Sequence, residues 1–210
     1  MPINKLKQKK YSSLILSLFI TFFTAISTFA ASSGDLVARG NHAYAKGNYD
    51  EALTSYEQAT IGVPESPYIY FNKGATHYMK GDYEKAREMF EQAALKTKEL
   101  PLEARSRYNL GNCSFRESER QRDGDLQKSL KELEQSINHY QRALKLDPTL
   151  QDAAHNIEVA RLTMKRILDE IRKQQEEAKK RQEERQKQAD KLEELIQRQE
   201  QLAQNTKALE

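Results

Sequence analysis

The chain has 210 residues, 34 Lys and Arg against 31 Asp and Glu, a formal charge of +3 and a single cysteine. One cysteine, Cys113, excludes an intramolecular disulfide and any multi-cysteine metal site. Lys5, Lys7, Lys9 and Lys10 precede an apolar run, and no acid lies in the first thirty residues. The remainder is therefore close to neutral and carries no nucleic-acid footprint.

In chain order, Met1 to Ser13 is basic, Leu14 to Phe29 is apolar, and Thr28-Phe29-Ala30 offers small residues where a signal peptidase reads. This predicts an export leader over residues 1–30, either cleaved after Ala30 or kept as an inner-membrane anchor. The run from Leu14 to Ala31 is near the minimum of roughly 17 residues that span a bilayer as a helix. Both readings place the rest on the periplasmic side, since the lysines stay cytoplasmic. No cysteine follows the run, so a lipid anchor is not expected.

From Ser33 to Leu100 one stretch of 34 residues is written twice. The shift pairs Gly40 with Gly74, Tyr44 with Tyr78, Gly47 with Gly81, Tyr49 with Tyr83, Ala52 with Ala86 and Ala59 with Ala93. Within each copy, apolar and small residues recur at three- and four-residue steps, as a helix buried along one face requires. Leu36, Gly40, Ala43 and Tyr44 mark a first helix; Ala52, Leu53, Tyr56 and Ala59 mark a second. Gly47 is expected to close the first helix in the left-handed conformation, and Asn48 with Glu51 to form a capping box for the next. Gly40 and Gly74 let the paired helices approach, and aromatics fill the space left open.

A third copy is expected over 104–150, after a spacer containing Pro101. Tyr108-Asn109-Leu110-Gly111-Asn112 begins its first helix, and Ser136, Tyr140, Ala143, Leu144 and Pro148 belong to its second. The spacing between these halves is too long by 13 residues. The excess, near 117–130, should lengthen both helices into a hairpin that is either solvated or contacts a partner. Residues 151–173 then read as a capping helix, with Ile157, Met164 and Ile171 spaced by sevens and Ala160 and Ile167 between them. Residues 174–210 form a charged tail whose apolar seam weakens and returns at Leu192, Leu195, Ile196 and Leu202. Single helix, disorder and weak self-association through a coiled coil all remain open there. Glu176 with Lys180, Glu177 with Arg181, Glu183 with Lys187 and Glu194 with Arg198 stand at helical ion-pair spacing.

The period of 34 and the pattern of glycine, tyrosine and alanine resemble the tetratricopeptide repeat. The resemblance implies an all-α solenoid of about three helix pairs, at 33–66, 67–100 and 104–150, with a capping helix and a long charged C-terminal helix. In this family the first helices line a concave groove for a partner peptide or helix. By resemblance the groove positions are Val37, Asn41 and Tyr44; Phe71, Asn72, Ala75 and Tyr78; and Arg105, Tyr108, Asn109, Asn112 and Phe115. Asn41, Asn72 and Arg105 match part of a carboxylate clamp found in some members, but Val37 stands where its first lysine belongs.

No phosphate loop, nucleophile elbow or catalytic triad is visible, and His42, His77, His139 and His155 form no metal-ligand spacing. The chain is expected to be non-enzymatic, with no catalytic residue, metal or cofactor. The leader, the repeats, the insertion in the third and the run from Asp152 to Glu177 also resemble the repeat proteins of bacterial aerotolerance (Bat) operons. That resemblance implies partners among von Willebrand factor A domain membrane proteins facing the periplasm. Two other readings remain: a general envelope-assembly or division adaptor, and a structural protein oligomerising through its C-terminal helix.

Overall fold

The computed structural model describes residues 32–207, so the expected leader or anchor over 1–30 lies outside the described residues. The described residues form helices only: α1 Ser33–Ala45, α2 Tyr49–Gly62, α3 Pro67–Met79, α4 Tyr83–Lys96, α5 Leu100–Gln121, α6 Leu126–Leu146 and α7 Gln151–Lys207. No helix among the described residues is long and apolar enough to cross a membrane.

Local chemistry sets the ends of these helices. Ser32 caps α1: its Oγ accepts from the Asp35 N–H at 3.1 Å, and Asp35 accepts from the Ser32 N–H at 3.2 Å. Gly47 and Gly81 take φ of 79° and 77°. The Asn48 and Asp82 N–H groups then reach back to the carbonyls of Ala43 and His77, at 2.9 and 3.0 Å. These bonds satisfy carbonyls that the end of a helix leaves orphaned. The capping box expected at Asn48 does not form. The Asn48 amide donates weakly to Glu51 at 3.4 Å and offers no cap to the backbone. The acid at the equivalent place, Asp82, does accept from the Lys85 N–H.

Each helix pair is locked by one ring against one missing side chain. A Cβ on Gly40 would lie 2.4 Å from the Tyr56 ring, on Gly74 2.9 Å from Phe90, and on Gly111 2.5 Å from Tyr140. These rings are at most 1% exposed, and burying a large apolar side chain stabilises by about 1.5–3 kcal/mol. Ala52, Ala59, Ala86, Ala93 and Ala143 are fully buried beside them, where a longer side chain would force the helices apart. Cys113 is fully buried as well, and burial pushes its thiol up to about 12, as a packing residue and not a reactive one.

The third pair departs from expectation in two ways. Pro101 is not in a spacer but in the first turn of α5, where its missing N–H costs nothing. The insertion lengthens both helices into a hairpin whose tip at 122–124 is exposed, as expected, but its inner face is covered by α7. The lengthened α5 and α6 turn at 122–125, and Leu133 meets Ala160 and Ile167 in a cluster flanked by Phe115, Leu126, Leu130 and Met164. Ser129 Oγ donates to the Ser118 carbonyl at 2.9 Å, tying the two extensions together. The added turns thus supply a wall for α7.

The capping helix and the tail are one helix of 57 residues, about 85 Å long at 1.5 Å per residue. Burial ends at Ile171, and the side chains described beyond it are exposed. None of the four ion pairs expected in the tail closes; Gln186 instead bonds Asp190 at 2.7 Å. A fully solvated pair gains only about 0.2–0.5 kcal/mol, which the rotamer entropy of two long side chains offsets.

Candidate protein-binding groove

The first helices of successive pairs are joined side chain to side chain along one face. Asn72 on α3 donates to Asn41 on α1 at 3.1 Å. The Arg105 guanidinium on α5 lies 5.5 Å over the Phe71 ring on α3. Asn156, on the first turns of α7, donates to Asn112 on α5 at 3.3 Å and to the Tyr108 hydroxyl at 3.4 Å. The face is therefore continuous from α1 to the start of α7.

The residues expected on this face divide into three groups. Val37 and Tyr44 pack against the core of the first pair, with Tyr44 5.8 Å from the Tyr49 ring. Phe71 and Ala75 pack against the second, where Phe71 meets Phe90 edge-on at 5.5 Å. Tyr78, Tyr108, Asn112 and Phe115 come together in a pocket of about 310 Å³, which Arg116, Tyr140, Asn156 and Val159 complete. Asn109 is turned back on its own helix, donating to the Arg105 carbonyl at 3.0 Å.

The asparagines have structural partners that their positions alone did not announce. The Tyr56 hydroxyl donates to Asn41 Oδ1 at 2.7 Å, and the Tyr140 hydroxyl donates to Asn112 Oδ1 at 2.8 Å. Burial pushes the Tyr56 phenol up to about 12 and raises that of Tyr140 further. Both hydroxyls are therefore fixed donors, and each asparagine spends its acceptor beneath the face. Asn41 keeps its Nδ2 donors to offer a ligand, while the Asn112 Nδ2 also donates to Asn109 Oδ1 at 3.3 Å and has one hydrogen left. In the middle pair, Ala75 and Phe90 stand where the others have asparagine and tyrosine. The exchange of both residues together was visible in the sequence and was the available sign that they touch.

Arg116, Tyr140, Asn156 and Val159 were missed for different reasons. Asn156 and Val159 lie beyond the last complete repeat, so no register assigns them to the face. Tyr140 reaches the pocket from a second helix. Arg116 follows the last position assigned to the groove, and its guanidinium pairs with Glu119 at 2.8 Å.

Among solved structures, the first tetratricopeptide domain of Spaghetti (RPAP3) bound to the HSP90 peptide SRMEEVD is similar. It is 18% identical with a TM-score of 0.52, over 64% of this chain and 94% of that one. The TPR2AB domain of yeast Sti1 in its pHSP90 complex is 22% identical with a TM-score of 0.54, over 66% and 50%. MamA is 17% identical with a TM-score of 0.51, over 69% and 81%. At these identities the likeness is one of fold. Comparison with curated proteins finds no match. The tetratricopeptide repeat model matches residues 37–96 and 80–149, which together span more than half of the chain; the chain belongs to the tetratricopeptide repeat family.

Proposed function

We propose that the chain is a non-enzymatic scaffold of the bacterial cell envelope that holds an extended segment or a helix of a partner protein against the face formed by α1, α3, α5 and the start of α7. The observation that carries this reading is the aromatic pocket at Tyr78, Tyr108 and Phe115, set in a face rich in amides. Flat rings supply contact area at low entropic cost, and amide donors suit a peptide backbone. The HSP90 segments held by the RPAP3 and Sti1 domains support a peptide as the class of ligand.

The envelope location rests on the basic and apolar pattern of residues 1–30. The narrower reading, in which von Willebrand factor A domain membrane proteins of a Bat-type complex are the partners, rests on the resemblance at Tyr108–Asn112 and Pro148–Glu177. A tagged full chain should recover such proteins from envelope extracts. Recovery of none would sink the Bat-type reading, and recovery of outer-membrane or peptidoglycan machinery would favour a general assembly adaptor. Self-association is a second reading, motivated by Leu192, Leu195 and Ile196, which are 60%, 53% and 47% exposed on the projecting part of α7.

A further inference from the structure

We infer that the closed end of the groove, between Tyr78, Tyr108, Phe115 and Val159, is an anchor pocket for an aromatic side chain with a polar edge, tryptophan or tyrosine, on a partner segment that carries a carboxylate about three residues away. The inference rests on the groove reading and names the ligand chemistry of its most enclosed part.

Size and walls come first. A volume of about 310 Å³ lined by four aromatic residues accepts an indole or phenol side chain and lets it meet the rings edge-on or offset, the arrangements that aromatic quadrupoles favour. The floor selects further. Asn156 Nδ2 is shared among Asn112 Oδ1, the Tyr108 hydroxyl and the Tyr140 hydroxyl, at 3.3, 3.4 and 3.5 Å, while Tyr140 donates to Asn112. The network uses up the Asn156 donors and leaves the Asn156 carbonyl oxygen and the Tyr108 hydroxyl proton. An apolar guest would cover these without replacing their water, at a desolvation cost, whereas an indole N–H can donate to the Asn156 oxygen, and a phenol O–H can donate to that oxygen or accept from the Tyr108 hydroxyl.

Charge fixes the neighbour of the anchor. No carboxylate lines the pocket. Arg116 at its rim is already paired with Glu119. Arg105 is exposed, rests on the Phe71 ring and, among the described residues, pairs with no carboxylate. Arg105 and Asn112 are seven residues apart on α5, a separation of about 10 Å. A segment in the polyproline II conformation covers that distance in about three residues and brings side chains three apart back to one face. A partner carboxylate so placed meets Arg105 while the ring occupies the pocket.

The protein contains no tryptophan, so the indole emission of a peptide reports its own burial. The probe is acetyl-Glu-Ala-Ala-Trp-amide, titrated with the protein. A saturable blue shift is expected, weakened about tenfold or more by Val159→Phe, which fills the pocket, and severalfold by Arg105→Ala. Acetyl-Lys-Ala-Ala-Trp-amide should bind less tightly, and acetyl-Glu-Ala-Ala-Ala-amide should fail to compete. No blue shift at millimolar protein, or a shift that neither variant weakens, overturns the inference. If Val159→Phe loses its helical signal, the exposed Arg105→Ala and the two control peptides decide the matter. Recovery of envelope partners by a protein that binds no tryptophan peptide overturns the pocket and leaves the groove. Peptide binding without any envelope partner overturns the proposed scaffold function and leaves the pocket.

Discussion

The Tyr140 hydroxyl donates to Asn112 Oδ1 at 2.8 Å across 28 residues of sequence, while its ring covers the place where Gly111 has no side chain. Tyr56 treats Asn41 and Gly40 in the same way. The middle pair replaces this bond with Ala75 and Phe90. Asn41→Ala alone strands the Tyr56 hydroxyl, and Tyr56→Phe alone removes a donor from Asn41; each should cost about 0.5–1.5 kcal/mol. The double variant recreates the apolar version that the middle pair already uses. It should cost less than the sum by about 0.5 kcal/mol or more in a urea-unfolding cycle followed by circular dichroism. Strict additivity would contradict the coupling.

Gly81 and Gly74 should respond differently to the same substitutions. At Gly81 the strain is in the backbone, since φ is 77° and nothing lies within 4 Å of an added Cβ. Gly81→Ala should cost about 1–2 kcal/mol, and Gly81→Asn distinctly less, because asparagine tolerates the left-handed region. At Gly74 the added carbon would meet Phe90 at 2.9 Å. Gly74→Ala should cost about 1–3 kcal/mol through overpacking, with no relief from asparagine. Thermal melts of the four variants make the comparison.

Stability should fall in mild acid. Burial, then the neighbouring Arg107, Arg142 and Arg87, lowers the His139 pKa from 6.5 to about 4. A folded pKa below the unfolded one means that the unfolded chain takes up the proton first. The stabilisation is therefore complete above about 6.5 and is lost as pH falls toward 4. His77 is shifted the same way, with burial again the largest cause. Unfolding free energies measured across this window should show the slope, and His139→Gln should flatten it. A pH-independent wild type would refute the assignment.

Truncation after Lys173 should leave the thermal midpoint of the repeats within a few degrees, since the side chains described beyond Ile171 are exposed. Truncation after Gln151 should lower it markedly by exposing Leu133 and Tyr140, which α7 covers. Sedimentation of the intact chain at increasing concentration tests the self-association reading. A dimer that vanishes on truncation after Lys173 would support it, and a monomer throughout would exclude it.

The repeat, its helix pairs and its close-packing glycines were legible because each is encoded locally. In the first two pairs a small residue opposite a ring recurs at one spacing, and Gly47 and Gly81 close their turns. The site was legible only in part. Tyr78, Tyr108, Asn112 and Phe115 could be placed from register, whereas Asn156 and Val159 belong to no repeat. The hairpin of the insertion was legible too, but not that α7 covers its inner face at Leu126 and Leu130.

By itself, then, the sequence determined the helices, their pairing and the face that the first helices share, because a solenoid is built from contacts between near neighbours in the chain. Only the tertiary structure decided which groups on that face remain open. The Asn41 and Asn112 oxygens are spent on tyrosines 15 and 28 residues away, and Asn156 closes the pocket from 44 residues beyond Asn112. Hydrogen-bond capacity is shared among all groups that converge in space, so no single repeat could reveal what was left over.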